Sequence, residues 1–332
     1  MRALIRTFLW ALAACLLVGQ VARAAEANKK FEIVMVVKLE GVSWFDDMRR
    51  GIERFAKDNP DVNAYQIGHN TGDPAAQIRL VEDLIAKKVD AIVVIPNDVK
   101  AMEPVLKKAN NAGILTFSHE AASLQNVTFD IEAFNNAAFG EEMMKNLAKN
   151  MKGQGEYAQV VGLLTMETHM DWAGAASKYQ REKFPAMKLV TDPPVEDSND
   201  QQLAHEKALE LLKKYPNLKG FQGNTAGSAP AFALAVEEKG LAGKFYISGL
   251  SLPSMARDYL KRGTIQSIHF WSPADAGYVS MKVALETLRG HKIASGTNLG
   301  RPGYENVKVV GKVVFGNAPI TCTAQNVDQY KF

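Results

Sequence analysis

Cysteine is scarce in this sequence. Among its 332 residues the only cysteines are Cys15 and Cys322, which excludes a framework of several disulfides and a cysteine metal cluster. The six histidines also lack a metal-ligand spacing such as His-x-x-x-His. We therefore expect no metal and no cofactor, and we expect stability to come from a large hydrophobic core.

An excess of charge of either sign is also missing. The sequence has 39 basic and 36 acidic residues. Three of the basic residues, Arg2, Arg6 and Arg23, lie in the first 24 positions, which contain no acidic residue. The remainder is balanced, so the sequence shows no basic surface for nucleic acid and we expect no nucleic-acid partner.

The apolar run at residues 8–21 is short for a helix that spans a membrane. It follows two arginines and precedes Ala22-Arg23-Ala24, which is typical of a cleaved export signal. We predict a signal peptide over residues 1–24, a mature start near Ala25 and a periplasmic location. A membrane anchor and a lipoprotein attached at Cys15 are the alternatives.

From residue 31 onward, apolar strands alternate with amphipathic helices. Residues 31–37 and 91–95 are near-continuous apolar runs, as in strands covered on both faces. Ser43 is predicted to cap a helix with apolar residues at spacings of three and four. Repeated strand–helix–strand units indicate parallel sheets. About ten strands exceed one compact sheet, so we predict an α/β fold with two doubly wound domains.

Templates of enzyme active sites match poorly. The segment Gly249-Leu250-Ser251-Leu252-Pro253 lacks the second glycine of a nucleophile elbow. Residues 223–227 lack the lysine and the following Ser or Thr of a phosphate-binding loop. His119, Glu120 and His169 could form an acid–base site in three dimensions, and this is the main enzymatic alternative.

Three tryptophans, Trp44, Trp172 and Trp271, follow predicted strands. In open parallel sheets ligands bind beyond the carboxyl ends of the strands. Indole rings at that edge suit stacking on the apolar faces of a sugar. Alternatively, each ring packs a domain edge.

Polar residues gather at the same strand ends. Asn97-Asp98 could accept hydrogen bonds from hydroxyl groups or cap the next helix. A buried polyhydroxylated ligand needs several such groups, because each unpaired hydroxyl costs about 1–3 kcal/mol. The further candidates are Lys38, Ser118, His119, His169, Asn224 and Ser251.

Four segments together resemble a known family. They are residues 38–56, Ile95-Pro96-Asn97-Asp98, residues 263–277 and the C-terminal residues 326–332. The chain resembles the periplasmic sugar-binding proteins of ABC importers, and within them the autoinducer-2-binding and rhamnose-binding branch. The resemblance implies a type I fold whose two lobes, joined by a three-crossover hinge, close on the ligand. The lobes would comprise residues 29–130 plus 265–292 and residues 131–264 plus 293–332.

The resemblance also suggests roles for individual residues. Lys38 matches a lysine that contacts ligand oxygens in the autoinducer-2-binding proteins, whereas Ser118 and Thr168-His169 replace other ligand residues there. Asn224 corresponds to a position that often contacts sugar hydroxyls in the wider family. Phe45 would join Trp44 in sandwiching the ring, with Trp172 also stacking, and Ser251 and Trp271 would lie on the hinge side.

The predicted function is therefore capture of a small carbohydrate-like solute without catalysis. Its partner would be an ABC permease in the inner membrane. The ligand could be a pentose, a deoxyhexose, a polyol or an autoinducer-2-like signal. The alternatives are ligand sensing with a chemoreceptor or kinase, and an exported α/β enzyme.

Overall fold

The computed structural model describes residues 30–332, which form two lobes, each built on a β-sheet covered by helices. The strands are β1 (Phe31–Val36), β2 (Val62–Ile67), β3 (Ala91–Val94), β4 (Leu115–His119), β5 (Phe129–Glu132), β6 (Gly155–Val161), β7 (Met187–Leu189), β8 (Val195–Glu196), β9 (Leu218–Gly223), β10 (Tyr246–Leu250), β11 (Ser267–Phe270), β12 (Lys308–Val310), β13 (Val313–Phe315) and β14 (Ile320–Cys322).

The helices alternate with the strands, as the apolar spacing predicts. They are α1 (Ser43–Asp58), α2 (Pro74–Lys87), α3 (Val99–Asn111), α4 (Asn136–Asn150), α5 (Glu167–Lys183), α6 (Gln201–Lys214), α7 (Ser228–Glu238), α8 (Pro253–Arg262) and α9 (Pro273–Leu288). Ser43 does not cap α1, because Val42 is the N-cap residue and no side chain closes that end. The cap predicted at Ser43 is therefore wrong.

The first sheet has the strand order β12-β13-β5-β4-β3-β1-β2, and the second has β14-β11-β10-β9-β6-β7 with β8 also beside β6. Pairing is parallel except at β12 and β14, which join as antiparallel edge strands. Strands β1 and β3 are buried, which explains their continuous apolar sequence. The predicted α/β fold with two doubly wound parallel sheets is confirmed.

The chain crosses between the lobes at three places. Residues 133–135 lead from β5 to α4, residues 271–272 from β11 to α9, and residues 316–319 from β13 to β14. Helix α9 packs on α1 and the first sheet, whereas α4 packs on α5 and the second sheet. Trp271 therefore lies on the second crossing.

The expected lobe boundaries need two corrections. Strand β11 pairs with β10 in the second sheet, although residues 265–270 were expected in the first lobe. Strands β12 and β13 extend the first sheet beside β5, although residues 293–315 were expected in the second lobe. The apolar pattern of a strand identifies it as a strand but does not specify its neighbours, which explains both differences.

The predicted export signal, its cleavage at Ala25 and the lipoprotein alternative at Cys15 lie outside the described residues. From residue 30 onward, no helix combines the length and hydrophobicity needed to cross a bilayer.

Candidate functional site

A cavity of about 260 Å³ lies between the lobes, at the carboxyl ends of strands from both sheets. Both lobes and the second crossing contribute to its wall. The lining residues are Lys38, Gly41, Val42, Ser43, Trp44, Phe45, Glu120, His169, Trp172, Asn199, Gln201, Ala226, Gly227, Leu250, Met255 and Trp271.

All three tryptophans of residues 30–332 line this cavity. The ring centroid of Trp271 lies 4.6 Å from that of Trp44 and 5.7 Å from that of Trp172, in edge-to-face arrangements. Phe134, on the first crossing, packs edge-on against Trp271 at 5.1 Å. The aromatic wall therefore joins the two lobes through the hinge.

Six of the predicted ligand-binding residues line the cavity, and the structure brings them together from distant parts of the sequence. They are Lys38, Trp44, Phe45, His169, Trp172 and Trp271. Their contact with a ligand remains a prediction.

The other five do not line the cavity, and protein groups already engage the polar side chains of four of them. Asp98 caps α3 by accepting from the Ala101 N–H at 2.9 Å. Asn224 donates to the Val160 carbonyl at 2.9 Å. The Ser118 hydroxyl donates to the Asp130 carboxylate, and the Ser251 hydroxyl donates to the Ala226 carbonyl.

His119, the fifth, is fully buried behind Glu120. Its Nδ1 lies 2.5 Å from the Ile131 carbonyl oxygen, which can only accept, so Nδ1 carries the hydrogen. Its Nε2 lies 3.7 Å from Glu120 Oε1 and has no hydrogen-bond partner. Burial holds the pKa of His119 below its usual value, against the opposing effect of Glu120.

Thr168, His169 and Trp172 were expected in a loop after a strand, but all three lie in the first turns of α5. Strand β6 ends at Val161, and the helix begins at Glu167. The side chains still reach the cleft because the amino end of α5 faces the first lobe.

A buried ion pair forms the polar floor of the cavity. Lys38 Nζ lies 2.5 Å from Glu120 Oε2, and both side chains are about 95% buried. The Asn97 side-chain amide donates to the Lys38 carbonyl at 2.9 Å, which fixes the backbone there. Such pairs are costly to break, because the remaining charge stays buried without a partner.

Glu120 is absent from the predicted set of ligand-binding residues, although it lines the cavity. Strand β4 runs to His119, two residues beyond Phe117, the last residue of its apolar run. Ser118 and His119 are therefore strand residues, and Glu120 is the first residue past the strand, with a positive φ of 62°. In the sequence, the position of Glu120 directly after the candidate His119 was the available indication that it could belong to the site.

His169 is neutral and has a defined tautomer. Its Nδ1 accepts from the Gly162 N–H at 3.2 Å, so the hydrogen lies on Nε2. Burial, with the nearby Lys38 charge, holds the pKa of His169 well below its usual value. The ring stacks on Trp172 with centroids 5.4 Å apart.

The second lobe contributes further polar groups that the sequence interpretation did not identify. Asn199 has a positive φ of 56°, and Gln201 begins α6. Both follow β8, a strand of two residues that carries no recognisable apolar pattern. Met255, from α8, adds an adaptable apolar surface.

Three hydrogen-bonded contacts join the lobes beside the cavity. The Thr168 hydroxyl donates to the Glu120 carbonyl at 2.7 Å, and the Thr165 hydroxyl donates to the Asn97 carbonyl at 2.9 Å. Ser123 donates both its backbone N–H and its hydroxyl to Glu167. The lobes are therefore closed against each other along the amino end of α5.

This arrangement can hold a small polar molecule with apolar faces. Indole rings can cover the faces, while Lys38, Glu120 and His169 can bind oxygens at one edge. Over residues 30–332, no group of three or more His, Cys, Asp or Glu side chains is placed to hold a metal ion.

Comparisons with known proteins agree with this architecture. The chain is 26% identical over 277 residues to the D-ribose/D-allose-binding protein of Pseudomonas aeruginosa, covering 80% of this chain and 85% of that protein. It is 25% identical over 276 residues to the D-allose-binding periplasmic protein of Escherichia coli, covering 79% and 86%.

Solved structures share the fold at lower identity. LsrB from Clostridium saccharobutylicum in complex with AI-2 superposes with a TM-score of 0.83 at 17% identity, covering 91% of this chain and all of that one. A solute-binding protein from Clostridium phytofermentas with bound L-rhamnose gives 0.82 at 19% identity, covering 91% and 98%. The type I fold expected from the resemblance is confirmed.

The family model described as a periplasmic binding protein domain matches residues 33–292. The match begins in β1 and extends beyond α9, so it includes the ion pair, the aromatic wall and two of the three crossings. The chain belongs to the family of periplasmic binding protein domains.

Proposed function

We propose that this protein captures a small neutral sugar, or a molecule like one, between its lobes and delivers it to an ABC permease in the inner membrane. The observation that carries the proposal is the joint placement of Trp44, Trp172 and Trp271 around one cavity with a buried polar floor. A sugar presents apolar ring faces, which the indole rings can cover, and hydroxyl groups, which the polar floor can bind.

The cavity size favours a single sugar ring. Pockets for drug-sized ligands have volumes of roughly 300–1,000 Å³, and this cavity is slightly smaller, at about 260 Å³. The named relatives bind D-ribose, D-allose or D-xylose. A monosaccharide is thus the substrate size that both observations support.

Delivery follows from the two-lobe design. A ligand that contacts both lobes shifts the equilibrium towards the closed form, because only that form provides all of its contacts. The permease would then recognise the closed pair of lobes. A chemoreceptor partner stays a prediction from the sequence.

Thermal unfolding against a monosaccharide panel tests the proposal. A sugar present at 100 times its dissociation constant should add about 2.7 kcal/mol to the free energy of unfolding. Calorimetry should give one site per chain, and chromatography should recover the sugar unchanged. Turnover of the sugar would support the enzymatic alternative, and the absence of binding across the panel would refute sugar capture.

Export is proposed through the signal predicted in residues 1–24. Two relatives are named as periplasmic proteins. Expression of the full chain in a Gram-negative host should yield periplasmic protein whose first residue is Ala25, as read by mass spectrometry. A retained or lipid-modified amino terminus would contradict this site of cleavage.

A further inference from the structure

Two acidic side chains lie buried where the first lobe leads into the hinge. Asp130 and Glu132 are two positions apart in strand β5, so they share one face of the sheet, and the first crossing begins directly after Glu132. Asp130 is 1% exposed and Glu132 is 2% exposed. From residue 30 onward, no lysine, arginine or histidine forms an ion pair with either carboxyl. Two adjacent negative charges at this position would therefore be strongly unfavourable.

Each carboxyl also has one oxygen without a hydrogen-bond donor. Oδ1 of Asp130 accepts from the Ser118 hydroxyl at 2.7 Å and from the Ala121 N–H at 3.1 Å. Oδ2 of Asp130 and Oε1 of Glu132 are buried and accept no hydrogen bond from residues 30–332. A proton on Glu132 that is donated to Asp130 gives the pair a hydrogen bond and leaves it with a single negative charge.

Burial is the main reason why the pair retains this proton. It raises the pKa of Asp130 to about 7 and the pKa of Glu132 well above its usual value. The charge of Asp130 raises the pKa of Glu132 further. Hydrogen bonds from Ser118 to Asp130 and from Asn136 to Glu132 act against the rise without cancelling it. Because the two carboxyls titrate together, the shared proton is the last to leave, in the neutral to alkaline range.

The second lobe brings a further negative charge towards the pair when the cleft closes. Glu167, the first residue of α5, accepts from the Ser123 N–H of the first lobe at 3.0 Å, so it occupies this position only in the closed form. Its charge raises the pKa of Asp130. Glu120 acts in the same direction on Glu132, but it belongs to the first lobe and moves with the pair. Closure therefore favours the protonated pair.

The other titratable groups around the pair are already engaged or uncharged. Lys312, which precedes strand β13, donates to a backbone carbonyl, and Lys38 is paired with Glu120. Burial lowers the pKa of His119 and raises the pKa of Tyr304, so both rings are neutral above pH 7. The charge that changes with closure is thus that of Glu167.

We propose that Asp130 and Glu132 form a proton-dependent switch beside the hinge, in which a shared proton stabilises the closed lobes and its loss at alkaline pH favours the open form. The form that holds the proton more tightly is favoured at low pH. Ligand affinity should therefore be complete while the open form still holds the proton, and it should fall as the pH rises above about 7. The inference rests on the proposed function only for the ligand used to follow closure.

Calorimetry at a series of pH values from 6.5 to 9.5 tests the switch, with D-ribose, D-allose, L-rhamnose and D-arabinose as ligands. We expect the affinity of any sugar that binds to fall about fivefold or more between pH 7 and 9.5. Binding in two buffers of different ionisation enthalpy should also show proton uptake. An affinity independent of pH would overturn the switch and leave sugar capture intact, whereas no binding at any pH would refute sugar capture.

Three variants assign the effect to the pair. Glu132→Gln keeps a donor for Asp130 and the single charge of the protonated pair, so its affinity at pH 9.5 should stay close to its value at pH 7. Glu167→Gln keeps an acceptor for Ser123 without the charge, and its pH dependence should be smaller than that of the wild type. Glu210→Gln, at an exposed residue of α6 paired with Lys207, is the control and should behave as the wild type.

Asp197 also titrates near neutral pH, because burial raises its pKa to about 7. Asp197→Asn is therefore measured in parallel and should retain the pH dependence of affinity. If that dependence disappears in Asp197→Asn and persists in Glu132→Gln, it belongs to Asp197 and the proposed switch is wrong.

Urea denaturation without ligand tests the shared proton independently of sugar capture. Above about pH 4.5 the unfolded chain releases the Glu132 proton that the folded protein keeps, so the wild type loses stability relative to Glu132→Gln as the pH rises. We expect the urea midpoint of the variant, relative to wild type, to rise from pH 5 to 7. A constant difference would overturn the proposal even if no sugar bound. If Glu132→Gln fails to fold, Asp130→Asn replaces it, because its amide can donate to Glu132.

Discussion

The hydroxyl of Thr168 donates a hydrogen bond across the cleft to the backbone carbonyl of Glu120, at 2.7 Å. Thr168 belongs to the second lobe and Glu120 to the first, so this bond exists only when the lobes are closed. A buried hydrogen bond of this kind contributes roughly 0.5–1.5 kcal/mol net. It ties closure to the residue whose carboxylate faces the ligand cavity.

We predict that Thr168→Val weakens binding of the tightest sugar of the panel by about three- to tenfold, mainly through faster dissociation. Calorimetry and stopped-flow fluorescence measure the two effects. Thr287→Val is a matched control, because the Thr287 hydroxyl bonds to a carbonyl one turn earlier in α9, away from the cleft. An unchanged dissociation constant for Thr168→Val would show that the bond does not stabilise the bound form.

Trp44 should contribute ring stacking rather than only structural support. We predict that Trp44→Ala abolishes the sugar-induced thermal shift, while Trp44→Phe keeps a reduced shift, because a phenyl ring preserves a smaller apolar face. Trp44 is only 5% exposed and packs against Trp271, so Trp44→Ala should also lower the free energy of unfolding without ligand, and the thermal shift is measured relative to each variant's own ligand-free midpoint. A full shift in the Ala variant would remove Trp44 from the ligand contacts.

Strands β3 and β4 differ in how clearly their own sequence marks their ends. The run at 91–95 was identified because a strand buried on both faces must be apolar throughout. Strand β4 continues through Ser118 and His119, whose polar side chains end the apolar pattern two residues too early. Their hydrogen bonds go to Asp130 and Ile131 on the neighbouring strand, and a pairing of that kind is invisible in the local sequence.

In the candidate site, too, features that follow from the local sequence could be predicted, whereas contacts between distant residues could not. The three tryptophans could be placed at one edge because the carboxyl ends of parallel strands meet there. The role of Glu120 could not be predicted, because it depends on an ion pair with Lys38, 82 positions earlier in the chain. Asp98 and Asn224 do not line the cavity, and backbone groups of the fold already engage their side chains.

Gly51 should be essential to the contact between α1 and α9. A Cβ added at this position would lie 1.8 Å from the carbonyl oxygen of Ala274, a backbone atom that cannot rotate away. We predict that Gly51→Ala lowers the free energy of unfolding by about 3 kcal/mol or more, measured by urea denaturation.

Gly174→Ala is the matched control for that change. Gly174 lies inside α5, and no atom lies within 4 Å of an added Cβ. Alanine is the better helix former, so this variant should gain up to about 1 kcal/mol. A tolerated Gly51→Ala would mean that α1 and α9 can move apart without loss.

Asp197 should make stability depend on pH. Its side chain accepts hydrogen bonds from the Thr225 hydroxyl at 2.7 Å and from the Asn199 N–H at 2.9 Å, yet burial raises its pKa from 3.8 to about 7. Between these values the folded protein keeps a proton that the unfolded chain has released. The contribution of Asp197 is therefore complete below about pH 4 and is lost as the pH rises through 7.

Asp197→Asn removes this titration while preserving the size of the side chain. Between pH 4.5 and 7, we predict that the free energy of unfolding of the variant, relative to wild type, rises by up to about 1.4 kcal/mol per pH unit. Urea denaturation at a series of pH values measures the difference, in which the contributions of all other titrating groups cancel. A difference that stays constant across this range would mean that Asp197 is ionised in the folded protein, because only a proton held by the native state alone can produce the slope.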